Sequence, residues 1–450
     1  MSGTVLVGLG VSGLACAIEL QQNQHAFVAF EKESGAGGLA RSERMDGFIF
    51  DYGPHILLNT PKILEPLNLE LTQCLCESTI FLNTEQVLSV PAPLQHYLHR
   101  LPITQRLQVL VDIAQRNLTP PASTSSHFQQ HLLSQAGKTL FDLFFQGYEA
   151  KRLRYALTEI DASMPNRIQS PALAQLFGVN ISHKQVACGG HDTRFKYPSV
   201  GGIDTLPQAM ASTLPSAQLH FQHSLIEIDL QAKQVSFANQ RQEFFQHLVL
   251  SLPLPEIILR LKNPPKAILE AAQQLIYSSL YILNLGIAHP ATQSWAIARI
   301  PKRDVDFYRV SIPTHYSKVN APDGFSCLTI EVAHHEQRYP LTETEVRQRI
   351  YAGLKHLNIL QSSTEVATEW LYNVRYAHII YGHKTRAALE LIFAYLKQHG
   401  VYSCGKYGEW RDMLMPHSMQ SGIDTAQRIL AASKYLAPTV KLYSFNINMM

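Results

Sequence analysis

The sequence predicts an α/β protein built from two domains. Strands alternate with helices at both ends of the chain, and a mixed region of helices and strands lies between them. A length of 450 residues exceeds what a single hydrophobic core usually serves. The hydrophobic fraction of 46% and the charged fraction of 16% are typical of a soluble globular protein.

The chain opens on a strand, a glycine turn, a helix and a second strand. Gly8 permits the tight turn out of the strand, Gly10 lets the backbone approach a pyrophosphate, and Gly13 lets the helix pack closely on the strand. The N terminus of the helix directs free N–H groups and a partial positive charge at that phosphate. Glu31, at the end of the second strand, suits the two ribose hydroxyls and disfavours a 2′-phosphate, and therefore NADP. The pattern predicts dinucleotide binding, and a glycine turn that only packs is the alternative.

A second glycine cluster, Gly35-Ala36-Gly37-Gly38, follows the acidic residue. Nicotinamide-binding domains rarely need another close backbone approach at this point, whereas flavin-binding domains do because their extended cofactor continues past the helix. The cluster therefore favours FAD over NAD. If FAD binds here, we expect Arg41 to contact its phosphate or its flavin ring. The alternative is a surface arginine.

Composition excludes several other classes of protein. The net charge of +3 is close to neutral for this length and no long basic run occurs, so nucleic acid is not an expected partner. No CxxC pair, HExxH motif or paired Cys/His spacing is present, so we expect no metal. No apolar run reaches about 18 residues, and the glycine-bearing N terminus is not a signal peptide, so we expect no membrane span and a cytoplasmic location. The cysteines are expected to be reduced; they are Cys16, Cys74, Cys76, Cys188, Cys327 and Cys404.

The middle of the chain contains an aromatic helix, a basic stretch and a second glycine turn. Phe141, Phe144, Phe145 and Tyr148 recur at helical spacing, which is more typical of core than of a cofactor contact. The four basic residues that follow, between positions 151 and 167, contact an anionic substrate or form a solvated face. The glycine turn at 197–206 is a second candidate for close backbone approach to a ligand.

The remaining secondary structure completes the domain prediction. The predicted segments are a three-stranded meander at Ser224–Leu230, Gln234–Phe237 and Phe245–Leu252, helices at 264–277, 342–357, 387–398 and 420–432, and a strand at 369–380. We predict a nucleotide-binding domain from residues 1–62, 195–265 and 385–440. A substrate domain from residues 63–194 and 266–384 is inserted twice, and the substrate lies between the two domains.

Several motifs together resemble a known family. They are the glycine fingerprint from Gly8 to Gly38, Gly53-Pro54-His55, Tyr148-Glu149-Ala150-Lys151, the turn Pro198-Ser199-Val200-Gly201-Gly202, Arg309 in a mid-chain strand, a late strand at Tyr376–Tyr381, and Gly405-Lys406. In this order, over nearly the whole length, the chain resembles the flavin-dependent amine oxidase/protoporphyrinogen oxidase superfamily, closest to the branch that includes UDP-galactopyranose mutase. The resemblance implies an FAD-dependent enzyme with a Rossmann-type FAD-binding domain assembled from discontinuous segments, plus a mixed α+β substrate domain.

The resemblance also implies a set of site residues. The candidate catalytic residues are His55, which is expected beside the flavin ring, and Arg309 and Arg167, which are expected to face the substrate; a structural histidine and a strand-surface arginine are the alternatives. The implied substrate contacts are Tyr148, Lys151 and Tyr381. The implied cofactor contacts are Gly8, Gly10, Val11, Ser12, Gly13, Glu31, Lys32, Gly38, Leu39, Arg41, Gly53, Pro54, His55, Ile226, Ser251, Gly405, Lys406, Ser418 and Met419.

Two departures from the branch bear on the reaction. Leu153 stands two residues after Lys151, where a tryptophan is usual, and Trp410-Arg411 precede Asp412-Met413, where the mutase has two tyrosines that hold phosphates. Three hypotheses remain open. The first is an oxidoreductase in which the flavin takes a hydride from a C–N or C–C bond of a small molecule. The second is a non-redox sugar-nucleotide mutase that uses reduced FAD, and the third is a flavin-binding protein with decayed catalysis.

Overall fold

The computed structural model describes residues 3–75, 77–94, 97–118, 125–165 and 194–436. The α-helices within these ranges are α1 (Val11–Gln22), α2 (Ile103–Leu118), α3 (Phe128–Ala136), α4 (Lys138–Leu140), α5 (Gln146–Leu153), α6 (Thr205–Ser212), α7 (Leu254–Leu259), α8 (Lys266–Ala272), α9 (Glu343–His356), α10 (Thr385–Gln398), α11 (Gly405–Gly408) and α12 (Met415–Leu436). A π-helical segment, Phe141–Phe145, joins α4 to α5.

The strands of the described residues alternate with these helices. They are β1 (Thr4–Val7), β2 (Phe27–Phe30), β3 (Ser42–Met45), β4 (Phe48–Asp51), β5 (Leu71–Leu75), β6 (Ser78–Phe81), β7 (Ser89–Pro91), β8 (Arg194–Pro198), β9 (Leu219–His220), β10 (Leu225–Asp229), β11 (Gln234–Phe237), β12 (Gln242–Phe244), β13 (His247–Leu250), β14 (Tyr277–Ile287), β15 (Ile297–Arg299), β16 (Arg309–Ser311), β17 (Ser326–His334), β18 (Val366–Ile379) and β19 (Val401–Ser403).

A five-stranded parallel sheet carries the glycine turn. Its strand order is β19-β13-β1-β2-β9, and each neighbouring pair runs parallel. The strands are short, apolar and buried because both faces of the sheet are covered. Helices α1, α6 and α12 cover one face, and the meander β10-β11-β12 with α7, α8 and α10 covers the other. The fold class predicted from the sequence, an α/β fold with a Rossmann-type domain from discontinuous segments, is confirmed.

The second large sheet has seven strands and is mixed. Its order is β18-β14-β17-β16-β15-β6-β7, antiparallel except for the parallel pair β15-β6. One face of β14, β16 and β17 packs with α9 in an apolar core. The opposite face carries Asn284, Thr329 and the Arg309–Glu331 pair, and it looks toward the loop after β4. The strands of the two large sheets come from the segments of the two predicted domains, and the domain boundaries themselves stay a prediction.

Three sequence predictions of secondary structure are wrong in detail. The apolar run ending at Leu250 is β13 in the parallel sheet, and the third strand of the meander is the more polar β12. The closing helix begins at Met415 rather than at position 420, because Pro416 lies in the first turn, where a helix tolerates proline. Helix α8 ends at Ala272, and Tyr277 already belongs to β14.

The aromatic stripe is core, as its spacing predicts. Phe141, Phe144 and Tyr148 are each at most 9% exposed. No helix within the described residues is both long enough and apolar enough to cross a lipid bilayer. Arg167, Cys76 and Cys188 lie outside the described residues.

Candidate functional site

The turn between β1 and α1 is as tight as its glycines predict. Gly8 has a φ of +97°, a left-handed conformation that glycine adopts without strain, and a Cβ there would lie 2.7 Å from the carbonyl oxygen of Ser251. A Cβ on Gly13 would lie 2.0 Å from the carbonyl oxygen of Gly8. Gly10 caps the N terminus of α1 in an extended conformation, with no side chain in the way. The turn therefore leaves an open, N–H-lined approach at the end of the helix.

Glu31 lies beside this turn at the end of β2. Its carboxylate is buried, accepts the N–H of Leu9 at 2.8 Å through Oε2, and accepts the N–H of Glu33 at 3.1 Å through Oε1. The carboxylate therefore braces the glycine turn in addition to having acceptor capacity for a ribose. The neighbouring Lys32 points away, with 66% of its side chain exposed and a 3.5 Å ion pair to Glu33.

The second glycine cluster closes against the first. The N–H of Gly37 donates to the carbonyl oxygen of Leu9 at 2.8 Å, and a Cβ on Gly38 would lie 3.2 Å from the Cα of Gly10. Two glycine segments thus meet backbone to backbone, a cradle that side chains would fill. Arg41 is held at its rim, where Nε donates to the carbonyl oxygen of Gly38 at 2.8 Å and the guanidinium lies 4.8 Å above the Tyr52 ring.

The C-terminal part of the chain completes the cradle from behind. The hydroxyls of Ser12 and Ser251 are 2.8 Å apart, and the N–H of Gly405 donates to the hydroxyl of Ser421 at 2.9 Å. A Cβ on Gly405 would lie 2.2 Å from the Ser12 hydroxyl, so this approach also requires glycine. Ser421 carries no sequence motif, and sequence reasoning missed it.

Three of the implied cofactor contacts are buried within α12 or exposed at the surface and do not lie among the glycine segments. Met419 is fully buried in the apolar core beside α1, so its side chain is part of the packing between α12 and the sheet. Ser418 is buried, and its N–H donates within α12 to Leu414. Ile226 lies at the bulge between β10 and β11 with its side chain 55% exposed.

His55 lies at the end of the loop that crosses the seven-stranded sheet. A Cβ on Gly53 would come within 3.3 Å of Ile282, so this loop rests directly on β14. The Nδ1 atom of His55 is 2.8 Å from the carbonyl oxygen of Gly53. Because a carbonyl only accepts, Nδ1 carries the proton and Nε2 keeps its lone pair. The ring is partly exposed, yet dense packing around it strips water from the charged form and lowers its pKa to about 4.

Arg309 faces the same side of the sheet and is paired. Its Nη2 donates to Oε1 of Glu331 at 2.7 Å, and its Nε donates to Oε2 of the same carboxylate. Burial opposes the charge of Arg309, but the adjacent carboxylate outweighs this and raises the pKa of the guanidinium. Within the described residues the Nη1 amino group makes no hydrogen bond.

Other cations near this region are paired as well. Lys406 lies 3.3 Å from Asp412, whose N–H donates to the hydroxyl of Tyr381 at 3.1 Å. Arg152 makes two hydrogen bonds to the Oε2 atom of Glu149, at 2.6 and 2.8 Å. The implied contacts Lys406 and Tyr381 therefore belong to one local network.

Lys151 lies in an environment that does not favour the implied role in substrate binding. It is 8% exposed, and its ammonium donates to three carbonyl oxygens, those of Lys302 at 3.0 Å, Val305 at 2.9 Å and Phe307 at 2.7 Å. No ammonium hydrogen is left for a substrate. Lys151 instead fastens α5 to the loop that leads into Arg309. Its neighbour Tyr148 is buried between Phe144 and Tyr308.

The glycine turn near position 200 also serves the framework. A Cβ on Gly202 would lie 2.1 Å from the Ser42 hydroxyl, so its close backbone approach is to strand β3 and not to a ligand. Asp51 ties this turn down by accepting from Ser42 at 2.7 Å, Tyr197 at 2.7 Å and the N–H of Ile203 at 3.2 Å. Burial raises the pKa of Asp51 to about 6.

Metal ligation finds no support among the described residues, where no group of three His, Cys, Asp or Glu side chains could hold an ion. The cradle fits a dinucleotide, because a glycine turn opens α1 and the buried carboxylate of Glu31 lies beside it at the end of β2, which is the arrangement that dinucleotide-binding folds use.

Comparison with known proteins agrees with this geometry. The family described as flavin containing amine oxidoreductase matches residues 11–430. The 4,4′-diapophytoene desaturase (4,4′-diaponeurosporene-forming) of Staphylococcus aureus strain MRSA252 is 28% identical over 106 residues, which are 21% of this chain and 21% of that protein. The chain is therefore matched to only about a fifth of the length of this curated relative.

Solved structures show the same fold over nearly the whole chain. The crystal structure of reduced UDP-galactopyranose mutase has a TM-score of 0.89 and 22% identity, covering 96% of this chain and 95% of that one. Wild-type putrescine oxidase bound to putrescine has a TM-score of 0.64 and 14% identity, covering 96% and 99%. The match of the family over residues 11–430, together with the cradle, leads to one conclusion: this chain belongs to the flavin containing amine oxidoreductase family, and its cofactor is FAD.

Proposed function

We propose that this flavoprotein takes a hydride from a C–N or C–C bond of a small organic substrate that carries no phosphate, at a site beside His55. FAD, when bound, supplies the acceptor for that hydride, which leaves with both electrons of its C–H bond, while the neighbouring N–H or C–H loses a proton and the C–N or C–C single bond becomes a double bond. The observation that carries the proposal is the charge balance around His55. Among the described residues, the two cations whose charges act on the His55 ring are each paired with a carboxylate, Arg309 with Glu331 and Lys406 with Asp412.

The chain's own residues have distinct tasks in this proposal. Glu31 and the paired glycine segments hold the cofactor, and Arg41 is fastened at the rim of the same cradle. His55 is neutral near pH 7, because its pKa lies near 4 and its Nδ1 proton is held by Gly53. Its Nε2 lone pair can therefore accept a hydrogen bond or a proton from a substrate group.

The mutase is the second candidate, and the position of Arg309 on the inner face of the sheet favours it. A diphosphate at Arg309 would, however, also lie near the buried carboxylate of Glu331. Two like charges about 4 Å apart repel by roughly 4 kcal/mol at an effective dielectric constant of about 20. This repulsion would offset much of the attraction to the guanidinium, which makes the site better suited to an uncharged group.

One spectroscopic experiment separates these candidates. Anaerobic addition of amines and polyenes to the purified holoprotein should bleach the visible flavin band for at least one substrate class. UDP should leave both the oxidised and the dithionite-reduced spectra unchanged. Tight UDP binding to the reduced form would favour the mutase, and no bleaching by any compound would count against hydride transfer.

A variant of the protein addresses the third hypothesis, decayed catalysis. Any substrate whose turnover is lost in Arg309→Ala, while the flavin remains bound, would exclude it.

A further inference from the structure

Glu331 is the most deeply buried carboxylate next to the proposed site, and no sequence motif marks it. It lies in the middle of β17 and is 1% exposed. Three donors converge on it: Nε and Nη2 of Arg309 and the hydroxyl of Tyr308, the last at 3.1 Å. Burial of a carboxylate at this depth is costly unless it is paired, and here both oxygens are used.

The strand register builds this pair into the sheet. Arg309 on β16 and Glu331 on β17 are directly opposite partners in an antiparallel ladder, where side chains on one face come close together. Ile282, the next residue in the same row on β14, lies under Gly53. The pair therefore lies on the face crossed by the loop that carries His55, and both charges act on the His55 ring.

Tyr308 fixes the orientation of the carboxylate. Its hydroxyl has one proton, which it donates to Glu331. The Nε2 atom of His378 lies 3.1 Å from the same hydroxyl, and it must therefore donate its own proton to the hydroxyl oxygen. Glu331 is thus held by two consecutive residues, Tyr308 and Arg309, and it holds two of the three guanidinium nitrogens of Arg309 in turn. What remains for a substrate is a single amino group, Nη1, on a pair with no net charge.

We propose that Glu331 determines substrate specificity by cancelling the charge of Arg309 and positioning its Nη1 atom, so that the site accepts an uncharged hydrogen-bond acceptor and rejects an anion. This inference rests on the proposed function, because it concerns the substrate class of the same site. It predicts that the amide isostere at position 331 would turn the site into an anion-binding site.

The test measures anion binding without turnover. Inorganic pyrophosphate is titrated into FAD-loaded protein by calorimetry, for wild type, Glu331→Gln and the double variant Glu331→Gln/Arg309→Gln. We expect Glu331→Gln to bind pyrophosphate at least about tenfold more tightly than wild type, a free-energy gain of about 1.4 kcal/mol. The double variant should bind it no more tightly than wild type, because the pair of side chains at positions 309 and 331 has no net charge in either protein.

Glu369→Gln is the matched control. Glu369 also pairs with an arginine, Arg347, at 2.8 Å, but on the α9 side of the same sheet. It should leave pyrophosphate affinity unchanged, whereas an equal gain there would show a general charge effect and overturn the assignment of Glu331.

Two results would refute the proposal directly. One is a folded, flavin-loaded Glu331→Gln protein whose pyrophosphate affinity equals that of wild type. The other, decisive even if the single variant fails to fold, is a loss of about tenfold or more on going from wild type to the neutral double variant. Neither depends on finding a substrate, so failure of the flavin-bleaching experiment would count against the proposed function alone.

Discussion

The packing of α1 on β1 makes Gly13→Ala the sharpest test of the cofactor cradle. The new Cβ would lie 2.0 Å from the carbonyl oxygen of Gly8 and 3.1 Å from its carbonyl carbon. Since both contacts are with backbone, no side-chain rotation can relieve them. Gly8 itself cannot retreat easily, because its N–H donates to the carbonyl oxygen of Phe30 at 2.8 Å.

The size of the effect follows from two opposing terms. Overpacking a well-packed core costs about 1–3 kcal/mol, and contact with fixed backbone belongs at the upper end of that range. Alanine is a better helix former than glycine, which returns up to about 1 kcal/mol. We therefore expect a net loss of roughly 1–2 kcal/mol in the free energy of unfolding. FAD affinity should fall by about tenfold or more, because the displaced turn is the phosphate approach.

The assay is flavin content by visible absorbance together with the urea midpoint, with and without added FAD. Gly35→Ala is the matched control. Gly35 lies in the second glycine segment, and a Cβ at this position would meet no atom within 4 Å. The control should keep its flavin and its midpoint. A Gly13→Ala protein that retains both would refute the close approach of α1 to the turn.

Three further predictions concern single side chains. Glu31→Gln should weaken FAD binding about tenfold or more, because an amide replaces one of the acceptors that brace Leu9 and face the ribose; fluorescence titration of apoprotein with FAD measures it. Lys151→Met should lower the free energy of unfolding by roughly 2–4 kcal/mol, because three buried carbonyls lose their donor. Removal of a buried charge offsets only part of this loss. The control Lys138→Met, at an exposed lysine, should change the free energy of unfolding little. For His55, the folded pKa of about 4 lies below the ordinary 6.5, so its contribution to stability is complete above pH 6.5 and is lost as the pH falls toward 4. His55→Asn should flatten urea midpoints across that window in apoprotein, and an unchanged pH dependence would contradict the lowered pKa of the ring.

The glycine cradle could be predicted from sequence because its chemistry is local. Gly8, Gly10 and Gly13 lie within one turn and one helix, and Glu31 follows at the end of the next strand, so spacing along the chain fixes spacing in space. The same locality predicted the aromatic stripe as core. The prediction of secondary structure was wrong where one sequence pattern is typical of two structures. An apolar run such as β13 is typical both of a strand in a meander and of a buried strand in a parallel sheet.

The partners of the charged residues could not be predicted in this way. Glu331 is 22 residues from Arg309, and Asp204 is 160 residues from Arg44, with which it makes two hydrogen bonds. Only the strand register and the packing of the turn on the β3-β4 hairpin bring these groups together. Lys151 is an example. Its position after an aromatic helix suggested a substrate contact, and only the structure reveals the three carbonyl oxygens that accept its hydrogen bonds.

Pairing also changes how the basic motifs of this chain should be interpreted. A free arginine on the inner face of a sheet is an anion site, but an arginine whose Nε and Nη2 atoms are held by a buried carboxylate is a neutral, oriented donor. Arg309, Lys406 and Arg152 each have a carboxylate within 3.3 Å. The fold of UDP-galactopyranose mutase covers 96% of this chain. Under the proposed function, that fold is kept while the charge that a diphosphate requires is cancelled within the protein. Under the proposed function, carboxylates set the difference between binding a phosphate and binding a neutral substrate, and Glu331 is the carboxylate whose removal tests this.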